Sequence, residues 1–164
     1  MGIREIPWAI PKIVEHEGFR LEPYTDTEGF ITGGIGHKFT RYDFDNFSKK
    51  WSREKKMTYW QQRFEEDLDR AEATALSLIR QYEIEQTDAI LYVLTDMAFI
   101  LGARGLGKFR NFLNDLRRGD IEGAIQEMKY KSKGSEERSK WYRQVPRRVN
   151  SLIQILRSSN ESNG

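Results

Sequence analysis

The stretch from Glu17 to His37, EGFRLEPYTDTEGFITGGIGH, gathers the residue types best suited to chemistry. Glu17 stands where a helical pattern stops, Asp26 lies in a run of turn formers, and Thr32 falls on the strand pattern that follows. A helix end feeding a short sheet can bring two such carboxyls to opposite sides of a cleft. That arrangement suits glycoside hydrolysis, in which one carboxyl protonates the leaving oxygen and a second group manages water or the oxocarbenium-like centre. Glu17 is expected near the negative end of its helix dipole, which disfavours the ionised form unless a nearby cation opposes it. Asp26, in a polar turn, is expected to be the base of the pair, so that environment splits the two roles. Spacing alone leaves a plainer reading open: a solvated helix-end Glu, a turn-forming Asp and an ordinary strand Thr.

The elements that must hold these residues can be read from pattern. Pro7 and Pro11 suit the mouth of a helix running through Ile13 and Val14 to Glu17, with Gly18 as its stop. From Leu21 to His37, aromatic and β-branched residues alternate with Asp26-Thr27-Glu28-Gly29 and Gly33-Gly34, which predicts a small antiparallel sheet. Thr58 is a candidate cap for a long helix with the apolar face Trp60, Phe64, Leu68, Ala71, Ala75 and Ile79. Thr87 caps the next pattern, apolar nearly all round and so expected at the centre of a helical lobe. Helices around Phe109–Arg117 and Ile121–Lys131 follow, separated by Gly119 and the cap Asp120. Ser132–Ser139 reads as a loop, Pro146 starts a last helix to about Leu156, and Ser158–Gly164 reads as a frayed polar tail.

Composition narrows the class. The 164 residues suit one domain at roughly 100–200 residues per domain. With no cysteine, a disulfide framework, a Cys-zinc site and a thiol nucleophile are excluded. The net charge of +2 hides an asymmetry: residues 1–101 hold 13 Lys+Arg against 18 Asp+Glu, and residues 102–164 hold 14 against 7. A basic half of this kind suits an anionic polymer such as nucleic acid, a membrane surface or a cell-wall glycan. The start, Met1-Gly2-Ile3-Arg4-Glu5-Ile6-Pro7, lacks a basic region followed by an apolar run, and Ala89–Leu101 is too short and carries Asp96. A product made in the cytoplasm without stable membrane association is therefore expected.

Two motifs fail on inspection. Gly102-Ala-Arg-Gly-Leu-Gly107-Lys108 follows a phosphate-loop pattern until Phe109 takes the place of the magnesium-holding hydroxyl. His16-Glu17 opens a zinc-protease pattern that ends on Arg20, and no metal site is expected. Basic residues near Trp141 and Tyr142 lie in no recognisable nucleic-acid module, so no nucleic-acid partner is expected.

The run resembles the active-site signature of phage-type lysozymes, the glycoside hydrolase family 24 endolysins typified by the T-even phage enzyme. The match comprises Glu-Gly-x-Arg-Leu, Tyr-x-Asp-Thr-Glu-Gly and Thr-x-Gly-Ile-Gly-His, all within 21 residues. Weaker similarity continues through Glu66-Asp67-Leu68-Asp69, the Gly102…Gly105…Phe109 turn and Trp141-Tyr142-Arg143-Gln144-Val145-Pro146-Arg147-Arg148. The resemblance implies Glu17 as general acid, Asp26 as the carboxylate handling the attacking water, and Thr32 as the hydroxyl helping to hold that water. It implies inversion at the anomeric carbon. Arg148 matches an arginine that reaches toward the catalytic glutamate, and His37 with Asp67 matches a structural ion pair. Phe99 and Gln126 match substrate-contacting positions, and Lys38 is expected to contact substrate as well. The chain departs from the pattern at Ile100, at Lys38 (in place of an apolar contact), in the basic Lys131–Lys140 segment, and at Gly33, an extra glycine expected to loosen Thr32.

The expected architecture is α+β and a single domain: a small sheet-bearing lobe at about 9–57, a connecting helix at about 58–80, a helical lobe at about 81–157 and a tail at 158–164. A cleft is expected between the lobes. The implied activity is hydrolysis of the β-1,4 bond between N-acetylmuramic acid and N-acetylglucosamine in peptidoglycan, by a monomer needing no metal or cofactor. Action on the wall from the periplasm would need release by a separate holin-like protein. The competing readings are a lytic transglycosylase and a catalytically silent wall-binding or phage structural module.

Overall fold

A computed structural model describes residues 2–132 and 134–162, with side chains given to residue 159. It is an α+β chain of eight α-helices and one three-stranded antiparallel sheet among the described residues. It divides into two compact units, Pro7–Arg70 and Met1–Ile6 with Ala71–Gly164.

The first unit holds the sheet. Helix α1 (Ala9–Glu17) buries Ala9 and Ile13 and ends at Gly18, whose N–H donates to the Val14 carbonyl at φ 72°. Strands β1 (Arg20–Thr25), β2 (Ile31–Gly34) and β3 (His37–Lys38) follow as a meander. Tyr24 pairs with Thr32 and Thr32 with Lys38, so Thr32 occupies the middle strand. The β1–β2 register shifts between Arg20 and Tyr24, and Pro23, which has no N–H to give, sits on this irregular edge strand.

Helix α2 (Arg41–Asn46) was not evident from the pattern. Its cap is: Thr40 and Asp43 exchange side chain-to-backbone hydrogen bonds in a capping box. The long helix α3 (Arg53–Gln81) starts five residues before the expected Thr58. Ser52 is the cap, its hydroxyl accepting from the Lys55 N–H at 3.2 Å. The expected apolar face of α3 is buried at all six positions from Trp60 to Ile79.

The expected loosening at Gly33 has a structural counterweight. A Cβ on Gly33 would stand 2.5 Å from the Trp60 ring, and one on Gly34 would stand 2.8 Å from it. Trp60 therefore fills the space that side chains on β2 would take. Its Nε1 donates to the Leu21 carbonyl at 2.8 Å, tying α3 to β1. The bare strand is packed rather than loose.

The second unit is helical. Helix α4 (Asp88–Gly107) is capped by Thr87, as expected, and buries every residue from Ala89 to Ala98. Gly102, at φ 73°, breaks it, so the glycine-rich stretch is a kink between helical segments. Helices α5 (Arg110–Arg117), α6 (Ile121–Lys129, capped by Asp120), α7 (Lys140–Gln144) and α8 (Pro146–Ser162) complete the unit. α8 packs on α4, α6 and α7 and runs past Leu156 to Ser162, so most of the expected frayed tail is helix; residues 163 and 164 lie outside the described residues. The 132–139 loop is closed by a bridge between Tyr130 and Arg138.

Candidate active site

Glu17, Asp26 and Thr32 all belong to the Pro7–Arg70 unit, each held differently. Glu17 is the last residue of α1. Its carboxylate lies against the Cα of Gly36 in the β2–β3 turn, where any Cβ would overlap it. Gly36 is also at φ 62°, a conformation that L side chains rarely adopt. Two independent constraints thus fix glycine at the position that seats the Glu17 head group.

Asp26 opens the five-residue turn between β1 and β2. Its Oδ1 accepts from the backbone N–H of Glu28 at 2.9 Å and of Phe30 at 2.8 Å, and its own N–H donates to the Phe30 carbonyl at 2.8 Å. The turn-forming role and a chemical role are therefore compatible. One carboxylate oxygen builds the turn, and building it orients the other. Thr32 is 4 % exposed, and its hydroxyl donates to the Phe30 carbonyl at 3.2 Å. The same carbonyl that receives the Asp26 N–H thus receives Thr32, which couples the turn to the strand.

Gly36 and Asp26 lie in turns at opposite ends of β2, with Thr32 between them. Three strand steps at about 3.3 Å each put these ends roughly 10 Å apart. The glycine that seats the Glu17 carboxylate and the turn that holds Asp26 therefore lie at opposite ends of one short strand.

Lys38, expected to contact substrate, lies on β3 over the same turn. Its ammonium is 4.5 Å from the centroid of the Phe30 ring and 3.7 Å from a Glu28 carboxylate oxygen. The apolar contact expected of the family at this position is replaced by a cation resting on an aromatic face.

His37 and Asp67 meet at 2.6 Å, through Nδ1. The other ring nitrogen, Nε2, lies 2.7 Å from Asp43, which the sequence reading passed over. A neutral imidazole has one N–H only, so two carboxylates at these distances require the imidazolium. Burial pushes His37 toward neutrality, but hydrogen bonding and charge from Asp67, and then Asp43, raise its pKa above the usual value. Asp43 is fully buried, which alone would raise its pKa; the Thr40 N–H, the Tyr59 hydroxyl and His37 pull it below the usual value instead. Tyr59 is pushed well upward by burial and by the Asp43 carboxylate that its hydroxyl meets. The Thr40-x-x-Asp43 spacing of a capping box was the available signal for this group.

The remaining expected residues lie in the helical unit. Arg148 is buried, and its Nε donates to Asp96 at 2.7 Å. Asp96 also accepts from the Tyr92 hydroxyl at 2.7 Å. Asp96, noted in the sequence only as a charge inside an apolar run, is thus the anchor of Arg148. Phe99 is half-buried on α4, and Gln126 is exposed on α6.

A meander sheet entered by a glutamate-ending helix, with a separate helical unit, is the α+β organisation of a lysozyme-like fold. The chain belongs to the phage lysozyme family, whose model matches residues 14–151. No individual curated protein matches it. The family is one of muramidase-type glycoside hydrolases, and its substrate is bacterial peptidoglycan.

Proposed function

We propose that this protein is an inverting N-acetylmuramidase that cleaves the β-1,4 bond between N-acetylmuramic acid and N-acetylglucosamine. Glu17 is the general acid: it gives its proton to the leaving oxygen as the bond to the anomeric carbon breaks. Asp26 accepts a proton from the water that bonds that carbon from the opposite face, and Thr32 helps to hold that water. What supports this reading most is that the Glu17 carboxylate rests against Gly36 beyond one end of β2 while Asp26 stands in the turn at its other end, with Thr32 between. Inverting enzymes keep their carboxyls roughly 6.5–9.5 Å apart to admit a water, whereas retaining enzymes bring them to about 5 Å. The pinning of one Asp26 oxygen by two backbone N–H groups adds preorganisation.

Arg148 is proposed as a supporting residue, His37 and Asp67 as structural support, and Lys38, Phe99 and Gln126 as glycan contacts. No metal or cofactor enters the reaction. The enzyme is proposed to act as a monomer, made in the bacterial cytoplasm and reaching the wall after a holin-like protein opens the membrane.

The experiment incubates purified sacculi with the wild type and with Glu17→Gln, and identifies released muropeptides by mass spectrometry. Reducing muramic ends that disappear in the variant are expected. Release of 1,6-anhydro ends would show a lytic transglycosylase instead, and binding without release by the wild type would show a silent wall-binding module.

A further inference from the structure

The sheet has two faces, and the chemistry proposed above uses one of them. Successive residues of a strand point to opposite faces, so Ile31 and Gly33 face away from Thr32. Trp60 covers the Gly33 side, and Gly34, whose φ of 57° breaks the alternation, meets the same ring. On this second side, where Thr25 pairs with Ile31, a cavity of about 350 Å³ opens between β1, β2 and the segment around α2, lined by Thr25, Ile31, Phe39, Phe44, Phe47 and Lys49, with Tyr24 at its edge. Its size falls in the roughly 300–1,000 Å³ range of small-molecule sites.

The walls are aromatic and braced. Phe39 meets Phe44 edge-on at 5.2 Å and Phe47 at 5.9 Å. Phe47 in turn packs on Trp60 at 4.9 Å. Phe44 nevertheless remains 61 % exposed, although the rings behind it are covered. A preset aromatic wall with one open ring suits a pyranose, whose C–H face meets the negative face of a ring without any rearrangement of the protein.

Charge narrows the occupant. Asp43 also lines the cavity, but its carboxylate accepts from His37, Tyr59 and Thr40. Lys49 is exposed at the rim and opens a run in which Lys50, Arg53, Lys55 and Lys56 follow, with Glu54 the sole acid. Of these, Lys56 is held by Glu22 at 2.5 Å and Lys55 rests over Trp51. Lys49 is the cation among the lining residues, and with the Asp43 carboxylate engaged by His37, it complements an anionic ligand.

We propose that this groove is a second saccharide-binding site, which holds an amino-sugar chain bearing peptide carboxylates: a stretch of peptidoglycan other than the bond being cut. This rests on the muramidase reading for the identity of the polymer. Its role is to keep the enzyme on the wall between cleavages, so that each new bond is met at high local concentration.

The test uses the full chain carrying Glu17→Gln, so that binding is read without turnover. Phe44→Ala and Lys49→Glu are added separately, both at exposed positions, and sedimentation with purified sacculi is measured at low salt. Each change is expected to weaken sacculus binding about five- to tenfold. In amide NMR of the same Glu17→Gln chain, soluble uncrosslinked glycan fragments should shift signals of residues 39–49. Sacculus affinity unchanged in both variants would overturn the proposal. So would loss of binding to anionic phospholipid vesicles with sacculus binding intact, which would make the groove a membrane contact. Cleavage is scored separately, in chains that retain Glu17. Persisting activity of Glu17→Gln would overturn the muramidase mechanism, whereas an inactive Glu17→Gln with undiminished binding in the groove variants would overturn this proposal alone.

Discussion

Gly36 carries more of the proposed chemistry than its lack of a side chain suggests. It is the surface on which the Glu17 carboxylate rests, and it does so at a positive φ. Gly36→Ala is therefore expected to cost about 1–2 kcal/mol of stability from backbone strain alone. It should also lower sacculus hydrolysis by more than tenfold, because the new methyl displaces the acid. Urea unfolding and a release assay separate the two effects; full activity in a folded variant would show that Glu17 is seated by something else. The pattern Gly-Ile-Gly-His pointed to this stretch, but which glycine served Glu17 and which served Trp60 was settled only by three-dimensional packing. His37 makes a second prediction at this scale. Its pKa is raised in the folded protein, so its stabilising contribution is complete below the unfolded value of about 6.5 and is lost as pH rises through the folded value. Asp43 has the opposite sign: its contribution is present above about 3.8 and is lost as pH falls through its lowered value. Unfolding free energy measured across pH should fall on both sides of this window. In His37→Gln the alkaline fall should flatten, and an unchanged alkaline slope would contradict the imidazolium clamp.

At the scale of elements, the helices that bury an apolar stripe were legible and the polar ones were not. α3 shows both cases: its buried face from Trp60 onward follows the 3.6-residue period, but its first turn is Arg53-Glu54-Lys55-Lys56, which carries no such period. The helix start is set instead by Ser52, a local hydrogen bond that competes on equal terms with Thr58 in the sequence alone. Ser52→Ala is expected to lower stability by about 1 kcal/mol, while Thr58→Ala, mid-helix and exposed, should be close to neutral; thermal or urea unfolding of the pair decides between them. α2 is only six residues long and exposes Tyr42 and Phe44, so it had too little periodicity to register. The same exposure gives the second groove its open ring. Asp43 went unnoticed for a related reason: its partner His37 is reached by a short strand and turn, not by a fixed spacing along one helix.

Across the whole molecule, the charge asymmetry remains the feature most dependent on structure for its meaning. Two of the basic residues in the Lys131–Arg148 region are already committed: Lys131 pairs with Glu137 at 2.6 Å, and Arg148 is buried with Asp96. Lys140, Arg143 and Arg147 are exposed, and they are the ones proposed to favour an anionic wall. Sacculus hydrolysis should fall as ionic strength rises, and replacing those three with glutamine should flatten the dependence. A dependence that persists unchanged would assign it elsewhere, with the Lys49 rim the next place to look.

The most direct test of the proposed mechanism is the configuration of the anomeric carbon at the moment of cleavage. Proton NMR can follow the first minutes of hydrolysis of a soluble peptidoglycan fragment, before mutarotation mixes the anomers. Water delivered by Asp26 and Thr32 on the face opposite the departing oxygen converts a β bond into an α reducing end, so the α anomer should appear first. A β anomer appearing first would mean retention, and it would contradict the assignment of Glu17 and Asp26 to an acid and a water-activating base.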